Sequence, residues 1–472
     1  MDRNKSLVKN IFIFAIGNVG SKMLQFLLLP FYTRVLSSEQ YGTVDILQSI
    51  STLLLPILSL TIFDAVFRFA MDGVTKKEDA FSVGMTTVSV GTVVLLLCGA
   101  ILPSFFGYRS YIWLIILYTI AQMFRSVTSQ YIRAIGQVKL FTVDNMFQTL
   151  MILLCNILFL VVFHWGIEGY ILGYIVGNFC SFFFVFLVQK LWRDIKFRGI
   201  GKDLYSAMFR FSVPLIPNAV CWWLTTMIGR LMVTAYLGTD ANGLFAVAFK
   251  VPTIVTILVG IFIQAWQISA NTECESKDFQ EYNSQIFNIL QVLTFLLSSF
   301  LVLVSKLLVM ILDKSYYNAW EYIPPMLVGI CFYTFAQFLG ALYTASKKTV
   351  MAFVTNFVTA IVNIVGNVVL LPKFGVMGAA LSLAISYLVF WLFRLVDTRH
   401  LVKMKYQTKS ILVNLVLTTA IAVIVTFSPK FWILWGALLF VVLCLVNVRV
   451  IKDLIVEAFN MLQSMFRLKR GQ

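Results

Sequence analysis

The sequence predicts an all-α protein that crosses a membrane about fourteen times, with two similar six-helix lobes around a central cavity. Hydrophobic residues make up 60% of its 472 residues and charged residues only 12%, whereas soluble globular domains carry about 25% charged residues. Apolar runs that reach the roughly 20 residues needed to span a bilayer recur along the whole chain. They lack the alternation of polar and apolar residues that marks transmembrane strands. A polytopic helical membrane protein is therefore expected.

The apolar segments are joined by short connections, as in a helix bundle. The first segment follows basic residues, as in a signal peptide, but it contains Lys22 and continues to Leu36, so we expect a retained helix. Whether the C-terminal end holds two further spans, giving fourteen instead of twelve, stays open at this point. The expected spans are 8–36, 43–70, 81–103, 110–133, 141–163, 167–190, 211–237, 243–270, 284–312, 320–345, 349–371, 376–400, 409–427 and 431–449.

Basic residues indicate the orientation. Most of the 37 lysines and arginines, including Arg394, fall on one side of the membrane when the N-terminus is placed inside. The positive-inside rule then places both termini in the cytoplasm. Topology and lipid headgroups account for the net charge of +16, so a nucleic-acid partner is not expected.

A short motif occurs twice. It reads LPFYTRVLSSEQYG from Leu29 to Gly42 and RLMVTAYLGTDANG from Arg230 to Gly243. Further matches follow in the same order at a nearly constant offset: 134–145 with 345–356, Asn156 with Asn367, and 166–169 with 375–378. A six-span unit therefore occurs twice, and an even number of spans gives both copies the same direction of entry. Two such lobes enclose a central site that rocking can open to either side in turn.

The repeat sets the expected domain boundaries. Residues 1–190 form an N-terminal lobe and 211–405 a C-terminal lobe. Between them, 191–210 reads as an amphipathic linker on the cytoplasmic face. Residues 406–472 would add two spans and a cytoplasmic tail.

Residues for catalysis or metal binding are scarce. The seven cysteines form no CxxC, and only His164 and His400 supply imidazole. No GxxxxGK[ST] phosphate loop is present, and no nucleophile–base pair stands out. We therefore expect no catalytic residues, no metal and no resident cofactor, and movement of a substrate across the membrane instead.

Basic residues inside the apolar spans point to a cavity. A charge in the hydrocarbon layer costs about 2.5–3.5 kcal/mol on insertion scales, so it usually faces a cavity or a partner. Helical spacing places four such residues on polar helix faces, and a cationic cavity of this kind suits an anion such as phosphate. Two alternatives stay open, namely that Lys22 reaches the interface and that Arg125 pairs with Asp144. The four residues are Lys22, Arg125, Arg230 and Lys250.

Three residues are candidates for a gate or for coupling to an ion gradient: Asp64, Arg68 and Asp144. Asp64 and Arg68 are four residues apart in span two, which is the spacing of a local ion pair on a helix. The alternative is an inner gate or a proton-sensitive latch.

Four stretches resemble the polysaccharide-biosynthesis flippases: GSKMLQFLLLPFYTRVLSSEQYG, DAVFRF, YIRAIGQVKLF and GIEGYILG. These are the Wzx-like O-antigen or capsule repeat-unit translocases of the multidrug/oligosaccharidyl-lipid/polysaccharide (MOP) exporter superfamily. The resemblance covers nearly the whole chain. It implies the two-lobed fold of multidrug-and-toxin exporters (MATE) and lipid II flippases.

The resemblance also implies a substrate and partners. The substrate would be undecaprenyl pyrophosphate bearing a short glycan, moved across the bacterial cytoplasmic membrane for O-antigen, capsule or exopolysaccharide synthesis. The four basic residues would hold the pyrophosphate, with H⁺ or Na⁺ coupling as in the superfamily. Membrane lipids, a polysaccharide polymerase and glycosyltransferases are the expected partners. The glycan would contact Asn18, Gln25, Gln122, Trp223, Thr226 and Gln264.

Two other functions stay open. A cation-coupled multidrug exporter of the same superfamily needs acids within the membrane, and the polar stripes here are mainly basic. A scaffold for a polysaccharide assembly complex would not need charges inside the membrane at their cost.

Overall fold

A computed structural model describes residues 28–71, 74–99, 109–196, 199–273, 279–345, 349–400, 404 and 406–453. These residues form α-helices joined by turns and short 3₁₀ or π segments, and no strand occurs in the ranges described. Within the same ranges, 11 helical segments are long and apolar enough to cross a membrane. The prediction of an all-α polytopic protein is confirmed.

The chain forms two compact units. The first comprises residues 1–247 and 312–316, and the second comprises 248–311 and 317–472. One helix, α10 (Thr239–Glu273), begins in the first unit and continues into the second. The domain boundaries expected from the repeat, at residues 190, 210 and 405, stay a prediction.

The described helices of the first unit are α1 (Leu29–Val35), α2 (Ser38–Leu58), α3 (Ile62–Met71), α4 (Lys77–Cys98), α5 (Ile112–Ala134), α6 (Val138–Ile157), α7 (Gly166–Val188), α8 (Lys202–Ser212) and α9 (Leu215–Leu237). Those of the second unit are α11 (Phe279–Met310), α12 (Ile323–Ala345), α13 (Thr349–Phe374), α14 (Val376–Asp397), α15 (Thr408–Phe427) and α16 (Trp432–Val446).

The second predicted span is broken. We expected one helix over 43–70, but α2 ends at Leu58 and α3 begins at Ile62. Leu60 and Thr61 between them adopt left-handed backbone angles, with φ of 51° and 47°, a conformation that costs energy in residues other than glycine. The Thr61 hydroxyl donates to the carbonyl of Ser212 at 2.7 Å, so a tertiary hydrogen bond stabilises the break.

The core of the first unit joins α3, α4, α5 and the amphipathic α8. Phe81 stacks on Tyr131 with ring centroids 4.4 Å apart. Met208 of α8 is fully buried in the same cluster. The guanidinium of Arg68 lies over the ring of Phe211, 4.8 Å from its centroid. The helix within the predicted linker therefore packs its apolar face against α3.

Polar contacts attach α15 and α16 to α11 in the second unit. Ser299 of α11 and Thr418 of α15 are hydrogen-bonded at 2.9 Å. Nearer the C-terminal end of α11, the ammonium of Lys306 lies 3.9 Å from the ring centroid of Trp320 and 4.4 Å from that of Trp432. Buried hydrogen bonds of this kind associate helices where no aqueous solvent drives apolar contact. The two added helices are thus packed parts of this unit.

The predicted repeat reappears in side-chain contacts. In the first unit Asn156 of α6 packs directly against Gly173 of α7. In the second, Asn367 of α13 donates to the hydroxyl of Ser382 of α14 at 3.1 Å. Both asparagines are fully buried. Residues that were aligned by sequence therefore make the corresponding helix–helix contact in each copy.

Candidate functional site

The two copies of the repeated corner pack on each other. The first copy starts α2 through a capping box: the Gln40 amide donates to the Ser37 hydroxyl at 3.2 Å, and the Ser37 amide donates to the Gln40 side chain at 3.1 Å. A Cβ on Gly42 would overlap the carbonyl oxygen of Thr239, and one on Gly243 would overlap that of Ser38. Glycine at both positions therefore lets the two backbones come into contact.

Hydrogen bonds join the corners across this contact. The Ser38 hydroxyl donates to the carboxylate of Asp240. The Asn242 side chain donates to the carbonyl of Gly42 at 3.0 Å. The chain contains two copies of the corner, and in this structure each copy contacts the other.

The segment before α12 contributes to the same region. Tyr316 donates from its hydroxyl to the carbonyl of Leu36 at 2.9 Å, and its ring packs edge-on against Tyr41 with centroids 6.2 Å apart. Asp313 accepts from the amide and the hydroxyl of Ser315 at 2.9 and 2.8 Å. These hydrogen bonds hold the pKa of the Asp313 carboxyl below its usual range, so the exposed loop carries a negative charge.

From the corners, one face of α2 continues along α9. We call this contact the seam. Its α2 residues are spaced four, three and four apart, which places them on one helix face: Ser38, Gly42, Asp45 and Ser49. This face of α2 packs directly on α9.

Two side chains of α9 bind α2 within the seam. The Trp223 indole donates to the carbonyl of Ser49 at 2.7 Å. Arg230 donates from Nη1 to Asp45 Oδ1 at 2.6 Å. The side chains of Arg230 and Asp45 are only 9% and 8% exposed, so this is a buried ion pair. Together the two charges cancel, which lowers the cost of placing either at membrane depth.

Arg125, the second predicted phosphate ligand, is also held by an acid. It lies 3.6 Å from Asp144 and donates to Asn145 at 2.8 Å and to Ser181 at 2.9 Å. Ser181 in turn donates to Asp144, which is fully buried. The alternative stated for Arg125, pairing with Asp144, is what the structure contains. The network joins α5, α6 and α7.

The structure describes only some of the other predicted ligands. Lys250 is half-buried on α10 in the second unit. Gln122 lies on α5, and its Oε1 is buried without a hydrogen-bond partner among the described residues. The backbones of Thr226 and Gln264 are helical, but their side chains lie outside the described part of the structure. Asn18, Lys22 and Gln25 lie outside the described residues altogether.

The gate candidates Asp64 and Arg68 make no ion pair with each other in the described structure. Asp64 is half-buried, whereas Arg68 is exposed and directed at Phe211. The interpretation of a local ion pair is therefore wrong, because the aromatic ring of α8 provides another contact for the guanidinium. A role in gating stays a prediction for both.

Sequence reasoning missed two residues. Asp45 was not among the candidate residues, although it is the partner of Arg230. Arg394 was counted only among the basic residues on the inner side of the membrane, and it is 3% exposed. It donates to the carbonyl of Ala336 at 2.7 Å and to the hydroxyl of Thr355 at 3.1 Å. The count of basic residues gives no sign of this burial, because tertiary contacts produce it.

The repeat relates Arg125 to Arg394. Asp144 and Asn145 align with Thr355 and Asn356, which accept hydrogen bonds from Arg394 at 3.1 and 3.5 Å. The position of Arg125 on α5 corresponds to Ala336 on α12. Each copy thus places a guanidinium among three corresponding helices, α5 to α7 in the first copy and α12 to α14 in the second. The first helix of the three supplies Arg125, whereas the third supplies Arg394. The aligned stretch 134–145 with 345–356 was the signal that could have located this site.

No group of three or more metal-ligating side chains occurs within the residues that the structure describes. The site consists of arginine–carboxylate pairs, amides, hydroxyls and one indole. Such a set can bind an anion or a polar headgroup, and the carboxylates can bind a cation.

Solved structures show the class of protein that has this fold. The structure is similar to "Lipid II flippase MurJ, inward closed conformation", with a TM-score of 0.72 and 14% identity over 94% of this chain and 100% of that one. It is also similar to an inward-facing multidrug resistance MATE family transporter of the MOP superfamily, with a TM-score of 0.68 and 10% identity over 82% and 98%. The chain has the fold of MOP-superfamily flippases and transporters.

The family follows from the sequence match. The model described as "Polysaccharide biosynthesis protein" matches residues 7–267, more than half of the chain. The chain belongs to this family, and the resemblance noted in the sequence is confirmed. Lsg locus putative protein 1 of Haemophilus influenzae is 24% identical over 258 residues, which are 53% of this chain and 62% of that relative. The solved structures reported above as sharing this fold are a flippase and a transporter.

Proposed function

We propose that this protein is a flippase for lipid-linked oligosaccharides. It would carry undecaprenyl-pyrophosphate-linked repeat units across the cytoplasmic membrane by alternating access, for the synthesis of O-antigen, capsule or exopolysaccharide. Membership of the polysaccharide biosynthesis family and the MurJ-like fold support this class of substrate. A polymerase and glycosyltransferases are the proposed partners.

The observation that carries the proposal is the guanidinium of Arg230 in the seam. It lies in a long apolar bundle, faces another helix and is paired with a carboxylate 2.6 Å away. Arginine forms paired hydrogen bonds to phosphate oxygens and stays charged at any physiological pH. Arg125 offers a second guanidinium in the same unit, and Lys22 and Lys250 are proposed to complete the pyrophosphate site.

The test uses cells that lack this gene alone. Undecaprenyl-linked glycans are extracted and identified by mass spectrometry, and an impermeant reagent reports which leaflet holds them. Accumulation of one glycan in the cytoplasmic leaflet, together with loss of the surface polymer, is expected. Unchanged lipid-linked glycans and an intact surface polymer would contradict the proposal.

Complementation then tests the site. A gene carrying both Arg125→Gln and Arg230→Gln should reach the membrane but fail to restore the surface polymer. The matched control is Lys373→Gln, which removes an exposed basic residue at the end of α13. Normal export by the double variant would show that these arginines are not the phosphate ligands.

Coupling to H⁺ or Na⁺ and the orientation in the membrane are further parts of the proposal. Flipping of a fluorescent lipid-linked probe in vesicles should respond to an imposed H⁺ or Na⁺ gradient, and Asp144→Asn should weaken that response if Asp144 is a coupling residue.

Both termini are proposed to be cytoplasmic. Fluorescent-protein and alkaline-phosphatase fusions at each terminus would decide the orientation.

A second candidate is a cation-coupled multidrug exporter. The buried carboxylates of Asp45 and Asp144 favour it, since such exporters need acids within the membrane, and the MATE-like fold is compatible. The paired arginines weigh against it, because they neutralise these acids. If deletion raises sensitivity to cationic dyes and leaves the surface glycan intact, this candidate replaces the flippase.

A further inference from the structure

We infer that Asp45 occupies the phosphate-binding position of Arg230 when substrate is absent, and that the lipid-linked phosphate displaces it. Binding of the anion would thereby break the ion pair that joins α2 to α9 next to the paired corners. This inference rests on the proposed function for the identity of the anion. It adds Asp45 to the site as the residue that links substrate binding to opening of the seam.

The geometry places Asp45 where a phosphate oxygen would bind. Its Oδ1 accepts from Arg230 Nη1 at 2.6 Å, which is the length of a strong charge-assisted hydrogen bond. Asp45 Oδ2 is buried without a hydrogen-bond partner among the described residues. The carboxylate is therefore attached to the seam mainly through Arg230.

Charge makes displacement more favourable than shared occupancy. Both side chains of the pair are about nine-tenths buried, and a phosphate beside Arg230 would lie within a few ångströms of the Asp45 carboxylate. Two like charges at such a distance in a medium of low dielectric constant repel each other strongly. A pyrophosphate carries more negative charge than a carboxylate and offers more oxygen atoms, so it would be the stronger ligand for the guanidinium.

Displacement would leave Asp45 buried and unpaired. A buried charge without a partner is unstable, and hydration removes the penalty. Water can reach Asp45 if α2 moves away from α9. At the corners, where Gly42 and Gly243 bring the backbones into contact, the hydrogen bonds from Ser38 to Asp240 and from Asn242 to the Gly42 carbonyl would be exchanged for water. The hydrogen bond from Trp223 to the Ser49 carbonyl would also be exchanged for water.

The experiment uses the purified full-length protein in lipid nanodiscs, with undecaprenyl pyrophosphate as the probe and undecaprenol as the lipid without phosphate. Binding is titrated, and hydrogen–deuterium exchange is followed in residues 38–49 and 239–247. In the unmodified protein, the pyrophosphate lipid should raise exchange in both segments, and undecaprenol should not. Unchanged or lowered exchange on binding would overturn the inference and does not depend on any variant.

Variants give an independent readout. Asp45→Asn removes the competing charge and should bind undecaprenyl pyrophosphate about tenfold more tightly, since tenfold corresponds to about 1.4 kcal/mol and close interfacial charge pairs reach or exceed this. Its seam should exchange rapidly even without lipid. Asp45→Glu, which keeps the charge, should restore slow exchange. Asp203→Asn, an exposed acid on α8, is the matched control.

The outcomes separate this inference from the proposed function. If Asp45→Asn binds with unchanged or weaker affinity while Arg230→Gln abolishes binding, the phosphate site stands and the displacement of Asp45 is wrong. If the unmodified protein binds neither lipid and deletion leaves surface glycan intact, the proposed function fails and the inference fails with it.

Discussion

Arg230 and Asp45 stabilise each other because each would be a lone charge inside an apolar bundle. Removing one partner of a buried ion pair typically costs about 3–5 kcal/mol, whereas replacing both by neutral groups costs much less. Single and double variants of this pair can therefore distinguish an effect on stability from an effect on export.

The first prediction uses this difference. Arg230→Gln should lower thermal stability strongly, because Asp45 is then buried without its cation. The double variant Asp45→Asn/Arg230→Gln should recover most of that stability but should not restore glycan export, since the phosphate ligand is still missing. Fluorescence-detected size-exclusion chromatography after heating measures the first quantity, and surface polymer measures the second. Recovery of export in the double variant would remove Arg230 from the site.

Arg394 has a different role from Arg230, because its hydrogen bonds go to a backbone carbonyl, a hydroxyl and an amide oxygen rather than to an acid. Phe390 also covers its guanidinium at 4.0 Å from the ring centroid. These side-chain contacts lie within α12, α13 and α14. We therefore assign it to the packing of this helix triplet.

The second prediction follows from that assignment. Arg394→Met should lower the melting temperature, since the carbonyl of Ala336 loses its donor and a buried hydrogen bond to a charged group contributes about 1.5–3 kcal/mol. Export per folded molecule should not change. Arg399→Met, at an exposed position just after α14, is the control and should leave both quantities unaltered. Specific loss of export with unchanged stability would make Arg394 a functional residue.

At the scale of the element, the corners are built for close contact. The start of α2 and the start of α10 meet at two glycines, with hydrogen bonds from Ser38 and Asn242 across the contact. No large side chain separates the helices at these positions. Added volume at either glycine must therefore push the backbones apart.

The third prediction tests this contact. Gly42→Ala and Gly243→Ala should each weaken corner packing by about 1–3 kcal/mol, the usual cost of overpacking, and should reduce export and raise hydrogen–deuterium exchange in residues 38–42 and 239–243. Gly260→Ala is the matched control, because a Cβ there meets no atom within 4 Å. Equal behaviour of all three variants would show that close approach is not required.

At the scale of the whole molecule, the two helices added after the repeat are part of the second unit. Asn414 and Asn447 exchange hydrogen bonds at 2.8 and 3.1 Å within the added pair. Thr418 connects the pair to Ser299 of α11. A chain without these helices would expose polar groups of α11 to lipid, which is costly.

The fourth prediction concerns truncation. A chain ending after residue 405 should be poorly inserted or should aggregate on extraction, because Ser299 and Lys306 lose their partners on α15 and α16. A chain ending after residue 453 retains every described helix and should behave like the full-length protein. Membrane yield and monodispersity measure the outcome. A stable, active chain ending at 405 would show that the added helices are dispensable.

The sequence by itself determined the fold class, the family and the repeat. Runs of about 20 apolar residues leave a helical bundle as the stable form in lipid, and the aligned pairs Asn156–Asn367 and 134–145 with 345–356 correspond to matching contacts in both copies. It also identified Arg125 and Arg230 as cations inside the helix bundle, because charge inside an apolar run requires a partner or a cavity.

Only the tertiary structure decided which partner each cation has. Asp45 lies 185 residues from Arg230 in the chain, and no helical periodicity connects positions on different helices. The break at Leu60 and Thr61 and the burial of Arg394 likewise depend on contacts with Ser212, Ala336 and Thr355. The spacing of polar residues along the sequence specifies which face of a helix is polar, but the packing of the helices decides which residues that face contacts.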